Sequence, residues 1–299
     1  MVVFHFDGSE ALRQQVAARG VTLCPESDPA GFERLLPDME VLWHVLKPVT
    51  AEVIARAPRL KLIQKIGTGV NTIDLEAARL RGIAVCNLPG TNTRAVAEMT
   101  LLLMLACLRR VTELNALVRT LGGWKDAWGL QEGFGELAGR TVGLVGYGAV
   151  PRLLHPALDA LGARVLYWSR SSKNSELHAL LAQADIVSLH LPLTPDTERL
   201  VDVRKLKAGA IVVNTARGAL LDEDHLLEML ADGRLAAAGL DVFTSEPLPP
   251  DHALLALNNV VAAPHLAWLT RETLERSIAA ALDNVKRLRA GVALVNCVT

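Results

Sequence analysis

Aromatic residues are scarce in this 299-residue chain: five Trp, five Phe and two Tyr, 4% in all. Its core must therefore be built mainly from Leu, Val, Ile and Ala. A surplus of charge is also missing. Thirty-one Lys and Arg against 32 Asp and Glu leave a net charge of −1, and no Lys/Arg run is long enough to build a basic patch. No global field draws such a chain to nucleic acid or to an acidic membrane. Long apolar runs are absent too. The longest, Leu101–Leu108, falls far short of the roughly 20 residues a membrane span needs. The start, MVVFHFDGSE, lacks a signal-peptide pattern. Cysteine is sparse: Cys24, Cys86, Cys107 and Cys297 form no CxxC pair and lie in apolar or small-residue contexts. Neither a disulfide framework nor a metal site is expected, and the thiols should be free and buried. The expectation is a soluble, cytoplasmic protein.

What remains is the profile of an ordinary globular chain, 51% hydrophobic and 21% charged, which excludes collagen, coiled coil and general disorder. At about 150 residues per domain the length suggests two domains. Short apolar runs alternate with helix-like segments. Val2–Phe6, Val41–Val45, Lys61–Ile66 and Ile83–Cys86 read as strands, with helices over Ser9–Arg19, Ala51–Arg56 and Thr72–Arg81. A long helix is expected over Thr93–Leu121, and a Gly-rich linker over Gly122–Gly139. Strands then resume at Thr141–Val145, Arg164–Trp168, Ile186–His190, Ala210–Asn214, Ala237–Val242 and Val260–Ala263. Near-continuous apolar strands belong to parallel sheets covered on both faces. The fold class is therefore α/β, with two doubly wound parallel-sheet units. The last helix, about Arg271–Ala290, carries Leu274, Ile278, Leu282 and Val285 at helical spacing and could pack on either unit. The helix around Leu101–Leu108 is apolar on every side. It is either buried between the units or a subunit interface.

Five segments carry chemistry. The first, Gly146-Tyr-Gly148-Ala149-Val150-Pro151, follows a strand and opens a helix. Gly146 suits a tight turn, and Gly148 lets the backbone approach a pyrophosphate at the helix N-terminus. Proline stands where this fingerprint has its third glycine, and Pro156 should kink or loosen the helix one turn later. The second is the end of the next strand. There Ser169-Arg170-Ser171 occupies the place where NAD sites carry an acidic residue, and these groups would donate to a 2′-phosphate instead. The third, fourth and fifth stand past successive strands: Val213-Asn214-Thr215-Ala216-Arg217-Gly218, Gly239 through Asp241 and Glu246 to Pro247, and Ala262 through Pro264-His265 to Trp268. Singly, these are a surface Arg, a solvated Glu and a His satisfied by backbone. Together, at successive strand ends, Arg217, Glu246 and His265 form a catalytic constellation. His265 would act as acid/base, Glu246 would orient its ring and favour the imidazolium, and Arg217 would grip a carboxylate.

These motifs resemble the D-isomer-specific 2-hydroxyacid dehydrogenase family, in its glyoxylate/hydroxypyruvate reductase-like branch. So do Lys65-Ile-Gly67-Thr68-Gly69-Val-Asn71 through Asp74, Asn87 through Glu98, and Leu191 through Thr197. The resemblance implies a discontinuous flavodoxin-like substrate domain (1–92 and 268–299), with a Rossmann NAD(P)-binding domain (93–267) inserted into it. It implies reduction of a small 2-oxo acid, glyoxylate or hydroxypyruvate, to the D-2-hydroxy acid with NADP preferred over NAD. It assigns Arg217, Glu246 and His265 to catalysis. Thr68, Gly69, Arg217 and Trp268 go to substrate, and Gly146, Gly148, Ala149, Val150, Ser169, Arg170, Thr215, Ala216 and Asp241 to cofactor. A homodimer through the 93–121 helix is implied, and no metal. At 299 residues, a C-terminal regulatory domain like that of long phosphoglycerate dehydrogenases is not expected. The alternatives within the resemblance are a phosphoglycerate or phosphite dehydrogenase, or a non-catalytic NAD(H)-sensing corepressor.

Overall fold

The computed structural model describes residues 1–174 and 176–299. The chain divides into two compact units, residues 1–92 with 270–299, and residues 93–269. Trp268 and Leu269, expected in the first unit, group with the second.

The first unit alternates strand and helix: β1 (Val2–His5), α1 (Glu10–Ala17), β2 (Val21–Cys24), α2 (Pro29–Leu35), β3 (Val41–His44), α3 (Ala51–Arg56), β4 (Leu62–Lys65), α4 (Leu75–Leu80) and β5 (Ala84–Cys86). The five strands are parallel, in the order β2-β1-β3-β4-β5. That is the flavodoxin-like arrangement. Every residue of β1, β3 and β4 is buried, as a sheet covered on both faces requires. Side-chain oxygens of Ser9, Asp28, Thr50 and Asp74 each cap a helix N-terminus, which supplies an acceptor for an otherwise orphaned N–H. Two elements, β2 and α2, are missing from the sequence expectation. They span only four and seven residues, too short for a period to emerge.

The second unit begins with α5 (Thr93–Arg109), α6 (Val111–Leu117) and α7 (Gly123–Ala127). The single helix expected over Thr93–Leu121 is thus broken. Arg110 takes a left-handed backbone at φ 49°, and its guanidinium bonds Glu113 at 2.7–2.8 Å. The chain turns there, and α7 lies inside the segment expected to be linker. The parallel sheet follows: β6 (Thr141–Val145), α8 (Ala149–Ala160), β7 (Arg164–Trp168), α9 (Asn174–Gln183), β8 (Ile186–Leu189), β9 (Ala210–Asn214), α10 (Glu223–Ala231), β10 (Leu235–Leu240) and β11 (Val260–Ala262). Its order is β11-β10-β9-β8-β6-β7. The direction of winding reverses between β6 and β8, which makes the carboxyl end of β6 a topological switch point.

The last helix, α11 (Arg271–Ala290), belongs to the first unit, so the choice left open by its periodicity is settled. Its buried stripe is Thr273, Ser277, Ile278, Ala281, Asn284 and Val285, more polar than the Leu-rich stripe expected. Asn284 explains part of this. Its amide donates to Gln64 Oε1 on β4 at 2.7 Å and to the Val295 carbonyl at 3.1 Å, and its oxygen accepts from the Val295 N–H. Gln64 in turn donates to the Lys65 and Cys86 carbonyls. Both side chains are essentially inaccessible, so the pair is favourable only while fully satisfied.

Among the described residues no helix is long and apolar enough to cross a membrane, and no group of three His, Cys, Asp or Glu could hold a metal ion. Cys24, Cys86 and Cys107 are buried, but Cys297 is exposed. The expectation of four buried thiols fails at Cys297 because its segment lies along the outer edge of β5.

Asn284→Ala leaves Gln64 Oε1 without a partner in a buried place and removes both side-chain bonds to the Val295 backbone. Unfolding free energy should fall by about 2 kcal/mol, read as a lower urea midpoint at unchanged m-value.

Candidate active site

The glycine loop is shaped by two different requirements. Gly146 follows β6 with φ 98°, and a Cβ there would lie 2.6 Å from the His190 carbonyl oxygen. Only glycine fits. A Cβ on Gly148 would meet nothing within 4 Å. Gly148 is the N-cap of α8, and no side chain caps that helix. An uncapped helix N-terminus opening onto clear space at a switch point fits a pyrophosphate. Ala149 and Val150 form its first turn.

Pro151 is the third residue of α8 and is buried. Its missing N–H costs nothing there, because first-turn N–H groups have no intrahelical acceptor. Pro156 lies well inside the helix, and α8 runs on past it to Ala160. Tyr147, between the glycines, stacks on Tyr167 of β7 with centroids 3.9 Å apart, bonds His155 Nδ1 at 2.6 Å and lies 5.0 Å beneath the Arg152 guanidinium.

At the end of β7 the chain turns through serines. The Ser169 N–H meets Ser172 Oγ at 3.3 Å, and Ser169 Oγ lies 3.0 Å from Ser171 Oγ. Arg170 is exposed, and no carboxylate occurs in residues 169–173.

Beyond β9, β10 and β11 three loops converge. Asn214 builds the first: its amide donates to the Arg217 carbonyl at 2.8 Å, and its oxygen accepts from the Ala216 N–H at 3.0 Å. Thr215 Oγ1 lies 2.9 Å from Thr100 Oγ1 on α5, which ties the loop to the helix. Arg217 donates to the Ala216 carbonyl at 2.6 Å. Gly218 then presses on the second loop so closely that a Cβ would lie 2.0 Å from the Phe243 carbonyl carbon. This backbone-to-backbone contact brings Arg217 beside the Phe243–Glu246 turn. In that turn Glu246 Oε1 accepts from the Phe243 N–H at 2.9 Å, and Glu223 of α10 accepts from the Thr244 N–H at 2.9 Å.

The third loop presents His265. Its Nδ1 donates to Glu246 Oε2 at 2.6 Å, the tautomer being set by a carboxylate that can only accept. The imidazole is 16% exposed and the carboxylate 30%. Burial alone would push the Glu246 carboxyl up, but the hydrogen bonds from His265 and Phe243 and the charge of Arg217 outweigh it and hold it below the usual range. Burial pulls the Arg217 guanidinium down against the opposing charge of Glu246. The arrangement offers a proton-exchanging nitrogen, Nε2, and a guanidinium within one constellation.

Asp241 and Trp268 are placed differently from expectation. Asp241 is 1% exposed, and its two oxygens accept from the Leu266 and Ala267 N–H groups at 2.9 Å each. Its carbonyl accepts from the His265 N–H at 2.8 Å. It holds the histidine loop from beneath rather than presenting its carboxylate to a ligand. Trp268 is 7% exposed, so its ring is part of the packing. Thr68 and Gly69 lie in the first unit, after β4. The carbonyl of Gly67 accepts from the Leu88 N–H at 2.8 Å, and that of Thr68 from Asn87 Nδ2 at 2.8 Å. In trans peptides the N–H groups of Thr68 and Gly69 therefore point the other way. Asn214 and Gly218 stood in the third segment without a role of their own, and Glu223 and Thr100 escaped sequence reasoning. The side-chain-to-backbone habit of Asn at strand ends is the only signal that pointed to any of them.

The family described as D-isomer specific 2-hydroxyacid dehydrogenase, NAD binding domain, matches residues 101–267. A glyoxylate reductase of Aeropyrum pernix is 37% identical over 94% of this chain and 90% of its own. A D-3-phosphoglycerate dehydrogenase of Mycobacterium leprae is 38% identical over 81% of this chain but only 48% of its own. The crystal structure of a putative D-isomer specific 2-hydroxyacid dehydrogenase from Polaromonas sp. JS6 66 superposes with a TM-score of 0.86, at 29% identity, covering 100% of this chain and 99% of that one.

Because the folded Glu246 carboxyl titrates below its unfolded value, the stability it contributes is complete above about pH 4.3 and is lost as pH falls through the folded value. The gap in urea midpoint between the wild type and Glu246→Gln should therefore narrow from about pH 5 to pH 3. A gap that widens on acidification contradicts the assignment.

Proposed function

Because the chain belongs to the D-isomer specific 2-hydroxyacid dehydrogenases, NAD-dependent oxidoreductases built on two parallel-sheet α/β domains, we propose that it reduces a small 2-oxo acid, glyoxylate or hydroxypyruvate, to the D-2-hydroxy acid. The observation that carries this is the 2.6 Å Glu246–His265 pair beside Arg217.

In this reading His265 Nε2 gives its proton to the carbonyl oxygen as that oxygen gains charge. Glu246 holds the ring in the tautomer that leaves Nε2 outward and stabilises the imidazolium before transfer. Arg217 binds the carboxylate and polarises the neighbouring carbonyl, a task suited to a planar, permanently charged fork. A bound nicotinamide supplies the hydride. The residues that would hold it are Gly146, Gly148, Ala149 and Val150 at the pyrophosphate, Ser169 and Arg170 at the adenosine ribose, and Thr215 and Ala216 beside the nicotinamide end. Asp241 acts through the histidine loop. The absence of a carboxylate in residues 169–173, where one would repel a 2′-phosphate, supports NADPH over NADH.

A homodimer is part of the proposal. Leu102, Leu105, Val111, Val118, Leu121, Trp124 and Trp128 are all exposed, Leu121 fully so. Large apolar side chains concentrated in one segment mark a covered face, and a second copy is the occupant in this reading. The cytoplasm, a reducing compartment, fits four free cysteines.

Turnover of NADPH with a panel of 2-oxo acids tests the activity, and no oxidation with any of them refutes it. A phosphorylated hydroxy acid as the only substrate would favour the phosphoglycerate reading. His265→Ala should lower kcat at least about a hundredfold with cofactor affinity within twofold. Arg170→Ala should raise KM for NADPH about tenfold and leave NADH nearly unchanged; equal losses remove the 2′-phosphate role. Leu102→Glu with Leu105→Glu should shift the protein to monomer in sedimentation, whereas an unchanged mass places the dimer contact elsewhere.

A further inference from the structure

The thiols of two of the free cysteines take no part in anything described above, and the two residues face each other. β5 is an edge strand of the first sheet, and residues 296–298 run antiparallel along it. The Asn87 N–H donates to the Asn296 carbonyl at 3.1 Å, and the Val298 N–H to the Val85 carbonyl at 2.8 Å. Cys86 and Cys297 are directly opposed between these two bonds. The bonds flank the pair without joining it, so this is a non-hydrogen-bonded antiparallel pair. That is the closer of the two kinds, with Cα atoms about 4.5 Å apart and side chains on one face. Disulfides span Cα separations of about 4.4–6.8 Å.

We propose that Cys86 and Cys297 form a reversible disulfide under peroxide, a covalent lock between segment 296–298 and the edge strand. The two thiols differ in a way that orders the steps. Cys297 is exposed and Cys86 fully buried, so an oxidant reaches Cys297 first. Partial burial of Cys297 is outweighed by hydrogen bonds from the Thr299 and Val85 backbone and the Cys86 thiol, which draw it below the ordinary thiol value. Burial pushes Cys86 up to about 12. The Cys297 thiolate attacks one peroxide oxygen; an S–O bond forms, the O–O bond breaks, and the departing hydroxide takes a proton to become water. Cys86 sulfur then attacks Cys297 sulfur. The S–S bond forms, the S–O bond breaks, and the proton of Cys86 leaves with the hydroxide as a second water. Two thiols are oxidised by two electrons, and one peroxide is reduced to two waters. Reduction by a dithiol returns both thiols, as befits a transient cytosolic disulfide.

The bond closes a loop of about 210 residues, and cross-links that close long loops restrict the unfolded chain most. It also sits next to Asn87, whose side chain holds the Thr68 carbonyl.

The test treats the full-length protein with hydrogen peroxide and counts thiols after denaturation. The count should fall from the four free cysteines to two, and a non-reduced digest should yield a peptide pair joining Cys86 to Cys297. Thermal unfolding should move up by a few degrees and return with dithiothreitol. Cys297→Ser, a change at an exposed position, should abolish the loss of thiols and the thermal shift together. Four surviving thiols, a Cys297 sulfinic acid with Cys86 still reduced, or a Cys297-linked dimer would each overturn the proposal.

Discussion

The site depends on a carboxylate that need not touch the substrate at all. His265 has φ 56°, a left-handed backbone that costs a residue with a Cβ of order 1 kcal/mol or more. Such a conformation persists only where its surroundings impose it. Asp241 imposes it three times over: its carbonyl takes the His265 N–H, and its two carboxylate oxygens take the Leu266 and Ala267 N–H groups. Asp241 is itself anchored, its N–H donating to the Asn214 carbonyl at 2.9 Å. Strand β9, strand β10 and the histidine loop thus share one chain of hydrogen bonds, and the imidazole inherits their rigidity.

Two carboxylates close together have opposite electrostatic fates. Burial dominates at Asp241 and raises its carboxyl, even against two backbone N–H bonds and the nearby His265. At Glu246 the hydrogen bond from His265 and the charge of Arg217 help reverse the burial effect. This division suits the chemistry. In the proposed function, a carboxylate that supports an imidazolium works best ionised and partly solvated, whereas one that fixes a turn needs its acceptors aimed at N–H groups. Gly218 makes the grouping possible, since any side chain there would drive the Arg217 loop off the Phe243 backbone.

The parallel sheets were legible in the sequence because buried parallel strands are continuous apolar runs, and Val41–Val45 or Ala210–Asn214 could hardly be anything else. The cluster of Arg217, Glu246 and His265 was legible because each member stands past such a run. What escaped detection was whatever depends on one residue's backbone or on contacts distant in sequence. Arg110 ends α5 through a left-handed φ that no periodicity announces. Asn284 seats α11 through Gln64, a partner more than two hundred residues away. Asp241 was placed at the cofactor by the resemblance alone, and its hold on the histidine loop shows only in its burial with two N–H partners. Cys86 and Cys297 looked unrelated by spacing, since sequence distance says nothing about an edge strand paired by a remote segment.

The scarcity of aromatics acquires a location. Both tyrosines of the chain lie together at the glycine loop. Tyr147 is held on one side by Tyr167, at its hydroxyl by His155 and over its ring by Arg152, and His155 reaches Asp159 of the same helix at 3.3 Å. A glycine at the third position of the fingerprint serves to bring helix and strand close, and this chain has Pro151 there. The Tyr147 cluster joins the same partners from the loop itself: Tyr167 belongs to β7, and Arg152 and His155 belong to α8. Stacking and a short hydrogen bond each contribute on the order of 1 kcal/mol. The loop therefore keeps the backbone freedom of Gly146 and the open approach at Gly148 while its middle residue is fixed. The physical requirement of the site is a held loop with one open face, and a third glycine is only one way to meet it.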